Sequence, residues 1–406
     1  MRRSIFFLLL AFLSPQLAFA DWQADFLGRL GNGSVFVEDA NGKTLFSHRI
    51  DEHFVPASTI KMATAACALK ALGPEFRFVT DFFLTADGQL FVKGYGDPML
   101  VSEEFARIAR ALKAAGVRRV QEIGLDAGFF SPQIVIDGVE RSSNPYDALN
   151  GALLANFNTM NVRKSKSGQI QSAEPQTPLT PLVVELARRL PPGTHRVNLA
   201  GSQAQSIRYV GELLGAFLVR EGIAVEGPLR EGVVPADAKL VYRHASALQL
   251  ADVTRGLLEF STNLTANQLF LVLGAHRYGA PATVEKGVQA LAQCLRQDVG
   301  WKDFTVAEGS GLSRQTQVTA RQMIQLLRYF LPYRDLLPRY DTVFQAKTGT
   351  LNGANTFAGY FPLARGGLAR FVILVAEKVP YDYKFRLARL LYAGINGVAP
   401  PVASKR

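Results

Sequence analysis

The sequence contains few cysteines and histidines, and it has no long hydrophobic run after its first twenty residues. Two cysteines and five histidines occur among 406 residues, and the histidines show neither metal-ligand spacing nor a common segment. We therefore expect no metal site and no other cofactor. A low-complexity tract is also missing, and 48% of the residues are hydrophobic, which excludes an intrinsically disordered chain. Such a chain can bury a large core and should form two or three domains.

The first twenty residues have the pattern of an export signal. Two arginines precede an apolar stretch from Ile5 to Leu13, and Ala18 and Ala20 are the small residues of a cleavage site. The apolar stretch is too short for a membrane anchor. We expect a signal peptide (1–20) that is removed after Ala20. Because no later segment is apolar for long enough to cross a bilayer, we expect the mature protein to be exported, soluble and periplasmic.

Export permits a disulfide, but the cysteines do not have the context of one. Cys67 lies in the apolar stretch ATAACALKAL, where a buried free thiol is the more common finding. Cys294 lies far away in the sequence. We therefore favour two unpaired thiols, while the sequence leaves a Cys67–Cys294 pair open.

Basic residues outnumber acidic residues by 45 to 34, which gives a formal net charge of +11. A basic surface is attracted to anionic partners such as cell-wall polymer or lipid headgroups. Nucleic acid is not expected as a partner, because exported proteins rarely meet it. The one dense basic cluster, VRKSKSG at 162–168, also lacks the interleaved aromatic residues of a nucleic-acid site.

The order of patterns along the chain predicts an α+β fold. Alternating residues around Asn41 and Gly42 predict a hairpin, and the helix that follows should end at Gly73 and Pro74. Strand patterns return near the other end of the chain, after a mostly helical stretch. Strands at both ends predict one antiparallel sheet that is flanked by helices and completed by a helical subdomain.

Between these parts the chain mixes short strands, helices and loops, which predicts a large inserted α/β unit. We expect a catalytic domain formed by 21–73 and 241–395, an inserted unit of one or more domains at 74–240, and a tail at 396–406. The limits are placed at the Gly-Pro stop signal and where the strand patterns of the insert end.

Ser58 and Lys61 place a hydroxyl and an amine three residues apart at the start of an apolar helix. Residues at i and i+3 lie on one helix face, so the amine can take the proton of the hydroxyl. Such a pair is weak evidence alone, since about one is expected by chance in a chain of this length. No other serine in the chain has a lysine three residues later.

Two further motifs supply what such a nucleophile needs. Ser261-Thr262-Asn263 offers a second hydroxyl and an amide, and Lys347-Thr348-Gly349-Thr350 offers an amine and hydroxyls on a strand. The glycine allows close approach of a substrate. The three motifs together are typical of penicillin-binding proteins and class A β-lactamases.

Two competing matches occur elsewhere in the chain. Ser142-Ser143-Asn144 runs directly into a proline in a loop, whereas Ser261 interrupts an apolar helical stretch that can orient it. Lys166-Ser167-Gly168 lies in a polar basic run, whereas Lys347 leads into apolar strands. These contexts favour Ser261 and Lys347.

With these motifs the chain resembles the D-alanyl-D-alanine carboxypeptidase/endopeptidase family of the penicillin-binding protein 4 type over nearly all of its mature length. Three more segments resemble that family: GYGDP from Gly94, NPYDALNGALLANFN from Asn144, and EGSGLSR from Glu308. The long interval between the first two motifs also fits, because the family has a large insertion there. The resemblance implies a β-lactamase/transpeptidase-like fold.

The sequence departs mildly from the family pattern. Thr262 and Glu308 stand where aspartate is common, and Met99 stands where threonine is usual. None of these differences removes a reacting group.

The resemblance implies a role for each motif residue. Ser58 is the expected nucleophile, and Lys61 is its base if burial and the nearby cation of Lys347 keep it neutral. Ser261 is expected to relay the proton to the departing amine. Asn263 should hydrogen-bond Lys61 and the substrate amide.

The third motif is expected to bind the end of the substrate. The resemblance implies that Lys347, Thr348 and Thr350 hold a terminal carboxylate beside Gly349. The backbone N–H groups of Ser58 and Thr350 are expected to form the oxyanion hole.

The implied function is a serine DD-peptidase that cleaves the D-Ala-D-Ala bond of peptidoglycan stem peptides, and cross-links as a further substrate, through an acyl-Ser58 intermediate. β-Lactam antibiotics are the expected covalent inhibitors. One alternative is a serine β-lactamase, but Glu285 and Glu308 lack the context of a deacylating carboxylate. Another is a non-catalytic receptor for wall peptides, which has no need of a nucleophile with a base.

Overall fold

The computed structural model describes residues 22–403 apart from 141, 143 and 200. The predicted signal peptide and the last three residues of the predicted tail lie outside the described residues. Among the described residues, none of the helices is both long and apolar enough to cross a membrane.

The described part of the chain alternates helices and strands along its whole length. The helices are α1 (Trp22–Leu30), α2 (Lys61–Leu72), α3 (Ser102–Ala114), α4 (Pro181–Ala187), α5 (Gln203–Arg220), α6 (Leu250–Phe260), α7 (Asn263–Tyr278), α8 (Val284–Cys294), α9 (Ala320–Phe330) and α10 (Tyr383–Asn396). The strands are β1 (Gly33–Glu38), β2 (Thr44–His48), β3 (His53–Phe54), β4 (Val79–Leu84), β5 (Gln89–Gly94), β6 (Arg119–Val120), β7 (Glu122–Asp126), β8 (Thr159–Lys164), β9 (Ile170–Ser172), β10 (Gly193–Asn198), β11 (Ala224–Val225), β12 (Leu229–Glu231), β13 (Lys239–Ala245), β14 (Val318–Thr319), β15 (Arg339–Tyr340), β16 (Phe344–Leu351), β17 (Ala354–Pro362) and β18 (Leu368–Val375).

The main sheet is antiparallel and combines both ends of the chain, as predicted. Its strand order is β15-β16-β17-β18-β1-β2, and β1 joins β18 with Gly33 opposite Val375 and Glu38 opposite Arg370. The hairpin predicted around Asn41 and Gly42 connects β1 to β2. Strands β17 and β18 are buried along almost their whole length, because helices cover both faces of the sheet.

One face of the main sheet is covered by α1 and α10, which share an apolar core with it. The other face packs against the larger helical core that contains α2, α7, α8 and α9. Helix α2 lies at the centre of this core, since nine of its residues are buried. It ends where predicted, at Gly73, whose φ of 87° a residue with a side chain rarely adopts.

A second core belongs to the segment that interrupts the main sheet. Its five-stranded sheet has the order β12-β7-β5-β4-β13, in which β5 pairs with β7 and β7 with β12 in parallel. Helices α3 and α5 contribute to this core. Strand β13 pairs with β4 and runs across the predicted limit at 240/241. The division into a catalytic and an inserted unit stays a prediction.

The expectation of two unpaired thiols is wrong. Cys67 in α2 and Cys294 at the end of α8 form a disulfide, with Cα atoms 6.1 Å apart. Cys67 lies in an apolar helix as expected, but the packing of the helical core brings the end of a second buried helix against it. The disulfide therefore ties the helix that begins at Lys61, directly after the turn with Ser58, to a distant part of the chain.

Reduction of this disulfide is expected to lower the free energy of unfolding by about 2–5 kcal/mol, because the bond closes a very long loop in the unfolded chain. Equilibrium denaturation of oxidised and reduced wild-type protein measures the difference. The Cys67→Ala, Cys294→Ala double variant should unfold at the same midpoint with and without reductant. An oxidised and a reduced wild type of equal stability would contradict the prediction.

Candidate active site

The candidate nucleophile lies in a tight turn of 3-10 helix, Ala57–Ile60, directly before α2. Ala57 has a φ of 47°, a left-handed conformation that costs a residue with a side chain roughly 1–3 kcal/mol. Hydrogen bonds hold the turn in place: the Pro56 carbonyl accepts from the hydroxyls of Thr59 at 2.6 Å and of Thr356 in β17 at 2.8 Å. The turn that presents Ser58 is thus fixed to the main sheet.

Lys61 is fully buried and brings the first two motifs together. Its Nζ lies 2.8 Å from Ser58 Oγ, 2.8 Å from Asn263 Oδ1 and 2.6 Å from the Ser310 carbonyl oxygen. Burial lowers the pKa of Lys61 from 10.5 to about 7, while the Glu308 carboxylate opposes this by favouring the charged form. The sequence argument gave this effect to burial together with the charge of Lys347; in the structure burial is the main cause.

The loop that supplies the Ser310 carbonyl is organised by Glu308, a structural role that the sequence did not predict for this residue. The buried Glu308 carboxylate accepts hydrogen bonds from the backbone N–H groups of Ser310, Gly311 and Ser313 and from the Ser310 hydroxyl. Gly311, with a φ of 82°, is so close to the nucleophile turn that a Cβ would lie 2.0 Å from the Ala57 carbonyl oxygen. Glu308 therefore shapes both the acceptor for Lys61 and the wall behind Ser58.

The second motif is the turn between α6 and α7. Ser261 ends α6 in a left-handed conformation, with φ 56°, and Asn263 begins α7. Ser261 Oγ accepts a hydrogen bond from Lys347 Nζ at 2.9 Å, and the same amine donates to the Thr348 carbonyl at 3.0 Å. Asn263, two residues after Ser261, accepts a hydrogen bond from Lys61. This turn therefore lies between two lysine amines.

The third motif lies on β16, where Lys347 is buried and Thr350 is exposed. Gly349 packs directly on the nucleophile turn. A Cβ at this position would lie 2.2 Å from Thr356 Oγ1 and 2.9 Å from both the Pro56 oxygen and the Ser58 nitrogen. The glycine is therefore required because β16 packs closely against the protein's own backbone. The sequence had suggested a different reason, the close approach of a substrate.

The competing matches lie elsewhere and have other contacts. Ser142 Oγ donates to the Asp147 carboxylate and accepts from the Asn144 N–H, which makes it part of a loop. Ser143 lies outside the described residues. Lys166 is exposed in the turn between β8 and β9. Among the described residues of the two matches, none is hydrogen-bonded to the residues around Lys61.

An open cavity of about 740 Å³ borders the second motif. Its wall combines the motif with the outer side of α6 and with side chains from the segment between the first two motifs. The residues of that segment are Met99, Tyr146, Phe157 and Arg196. The cavity therefore has room for a ligand that extends beyond the motif residues.

The arrangement provides the components of acyl transfer. A hydroxyl is hydrogen-bonded to a buried amine of lowered pKa, a second hydroxyl is hydrogen-bonded to a second amine, and an exposed threonine follows on the strand that carries the second amine. These are the features of a serine acyl-enzyme catalyst that has two lysines in different surroundings.

Comparison with known proteins agrees with this class. The profile of the D-Ala-D-Ala carboxypeptidase 3 (S13) family matches residues 22–188 and 182–336, and the chain belongs to this family of serine DD-peptidases. A D-alanyl-D-alanine carboxypeptidase from Actinomadura sp. (strain R39) is 27% identical over 84% of this chain and 77% of its own length. The D-alanyl-D-alanine carboxypeptidase DacB of Haemophilus influenzae is 25% identical over 86% of this chain and 84% of its own length.

The fold is similar to that of penicillin binding protein 4 (dacB) from Haemophilus influenzae. The TM-score is 0.77 at 20% identity, and the match covers 91% of this chain and 99% of that one. The expected α+β fold and the expected enzyme class are therefore confirmed.

Gly349→Ala should lower the turnover of a D-Ala-D-Ala peptide by about a hundredfold, because a displacement of about 1 Å at a reacting group has that effect. Gly28→Ala is the matched control, since a Cβ there meets nothing within 4 Å. Steady-state kinetics on both variants checks the prediction. Full activity of Gly349→Ala would mean that Ser58 does not depend on this contact.

Proposed function

We propose that the chain is an exported DD-peptidase that hydrolyses the D-Ala-D-Ala bond of peptidoglycan stem peptides through an acyl-Ser58 intermediate. The observation that carries the proposal is the set of partners around Lys61 Nζ. Asn263 Oδ1 and the Ser310 carbonyl can only accept hydrogen bonds, whereas Ser58 Oγ can also donate. A neutral amine that gives its two hydrogens to the acceptors directs its lone pair to the Ser58 hydroxyl.

Lys61 acts as the base in this mechanism. Its neutral amine takes the proton of the Ser58 hydroxyl while Oγ forms a bond to the carbonyl carbon of the penultimate D-Ala. The carbonyl oxygen becomes an oxyanion, and the backbone N–H groups of Ser58 and Thr350 stabilise it. A pKa of about 7 leaves much of Lys61 neutral at physiological pH.

Collapse of this intermediate breaks the peptide bond. Ser261 gives its hydroxyl proton to the departing amine of the terminal D-Ala and takes back the proton that Lys61 removed from Ser58, so Lys61 is neutral again. The adjoining Lys347 ammonium stabilises the serine oxygen during this relay. Lys347, Thr348 and Thr350 hold the terminal carboxylate. Water then attacks the acyl-Ser58 ester, with Lys61 again as base, and releases the shortened peptide.

Substrates and inhibitors follow from this chemistry and from the relatives. The Haemophilus influenzae protein is known in complex with a β-lactam, which supports β-lactams as covalent inhibitors of this chain. A structural neighbour from Bdellovibrio bacteriovorus, with a TM-score of 0.51, is a peptidoglycan endopeptidase. We extend the proposal to D,D cross-links, for which the cavity of about 740 Å³ offers room. The proposed location is the periplasm, with residues 1–20 as the signal.

The surroundings of the two candidate carboxylates argue against the β-lactamase alternative. Glu308 is buried and its oxygens accept four hydrogen bonds within its own loop, and Glu285 is exposed at the start of α8. The Glu308 carboxylate is therefore occupied within its own loop, and that of Glu285 is hydrogen-bonded to the neighbouring Thr283. The hydrogen bond between Lys61 and Ser58 argues against a receptor that only binds.

Benzylpenicillin is expected to acylate Ser58 and to remain attached, because its opened ring blocks the attacking water. Mass spectrometry of the digested protein should find the penicilloyl mass on the peptide that carries Ser58, and Ser58→Ala should abolish it. Lys166→Ala, in the competing motif, should label like the wild type, whereas Lys347→Ala should label at least about a hundredfold more slowly. Rapid release of free penicilloate would favour the β-lactamase, and an unlabelled folded protein would favour the receptor.

The rate of acylation is expected to rise with pH through about pH 7 and then to level off, because only neutral Lys61 can take the serine proton. Glu308→Gln removes the negative charge that favours the ammonium, so the midpoint should move to lower pH. Rapid-quench measurements with benzylpenicillin give the profile. A profile that falls with rising pH in this range would contradict the role of Lys61 as the base.

A further inference from the structure

A third buried lysine contacts the end of the third motif from behind. Lys384, the second residue of α10, has no exposed surface, and its Nζ donates hydrogen bonds to the Gly349 carbonyl at 2.8 Å and to Thr350 Oγ1. The ring of Tyr381 lies 4.6 Å from the same nitrogen. Among the residues that the structure describes, no carboxylate lies within ion-pair distance of Lys384.

This position is unfavourable for a lysine in terms of stability. Burial without a counter-ion disfavours the ammonium and lowers the pKa of Lys384 to about 7. The first turn of a helix also disfavours a positive charge because of the helix dipole. Residues that violate local rules in this way are concentrated at functional sites.

Attachment of α10 to the sheet does not need the Lys384 side chain. Asn355, which lies opposite Thr350 on β17, accepts from the Lys384 backbone N–H at 3.2 Å. Its side-chain amide donates to the carbonyls of Pro380 and Tyr381. The start of the helix is therefore fixed by Asn355.

The contacts of Lys384 lie on the peptide unit that the proposed mechanism uses. The Gly349 carbonyl and the Thr350 N–H belong to one planar trans peptide, so they point in opposite directions. A donor on the carbonyl polarises that peptide and fixes its plane, which strengthens its N–H as an oxyanion donor. The hydrogen bond that Lys384 donates to Thr350 Oγ1 leaves the hydroxyl proton of Thr350 for the substrate carboxylate.

We infer that Lys384 is a positioning residue for catalysis, which holds the Gly349–Thr350 peptide and the Thr350 hydroxyl in the orientation that binds the oxyanion and the terminal carboxylate. The inference deepens the proposed function and rests on the proposed roles of Ser58 and Thr350. In this role α10, a helix outside the three motifs, affects the acylation step through the Gly349–Thr350 peptide.

The test compares Lys384→Met with the wild type in three measurements. The acylation rate with benzylpenicillin and the kcat/KM for a D-Ala-D-Ala peptide should each fall by about tenfold or more. The thermal midpoint should stay the same or rise, because the variant removes an uncompensated buried charge. Lys286→Met is the matched control, since Lys286 also donates two hydrogen bonds, in its case to the carbonyls of Gly279 and Pro281, and should keep wild-type kinetics.

A double-mutant cycle with Thr350→Val separates positioning from general damage. If Lys384 acts through Thr350, Lys384→Met should lower the acylation rate by a several-fold smaller factor in the Thr350→Val background than in the wild type. Additive losses accompanied by a lower thermal midpoint would overturn the inference, as would acylation of Lys384→Met at the wild-type rate. A wild type that is not labelled on Ser58 would instead refute the proposed function.

Discussion

Burial of the Lys61 amine is the constraint on which the rest of the site depends. An ammonium group loses several kcal/mol of hydration when it is buried, so the neutral form gains population only if the whole surroundings stay dry. The fold meets this condition by placing α2 at the centre of the helical core and closing it with α7 and the Glu308 loop. The same packing fixes the two acceptors that orient the amine towards Ser58.

The site also concentrates strained backbone, and the strain is balanced by contacts from distant segments. Ala57 and Ser261 both have left-handed conformations although neither is glycine. Ala57 directly precedes the Ser58 hydroxyl, and Ser261 carries the hydroxyl of the second motif. Thr356 from the sheet holds the turn before Ser58, while Gly311 and Gly349 allow two other segments to pack against it. A site built in this way is rigid before any substrate arrives, which suits catalysis by preorganised groups.

Positive charge in the site is divided among groups in different environments. Burial lowers the pKa of Lys61, whose amine is surrounded by acceptors, to about 7, whereas Lys347 adjoins the Ser261 hydroxyl and lies three residues before the exposed Thr350. This division explains how two chemically identical side chains take the separate tasks of base and anion binder in the proposed mechanism. The family profile ends at residue 336, before β16, so the argument for Lys347 comes from its contacts.

The sequence by itself determined several local elements and predicted the motif residues. The hairpin at Asn41 and Gly42, the end of α2 at Gly73 and the joining of both chain ends in one sheet all follow from local patterns, since turn residues and alternation act over a few positions. The apolar context of Ser261 and Lys347 likewise favoured them over the competing matches.

Only the tertiary structure decided which distant side chains meet. The Cys67–Cys294 disulfide, the Glu308 loop behind Lys61 and the contact of Lys384 with Thr350 each join segments whose local sequence gives no sign of the partner. Such contacts are set by how buried helices pack on each other and on the sheet, and packing depends on the shapes of all the surfaces together. For that reason the motifs could be read from the sequence, while the groups that orient them could not.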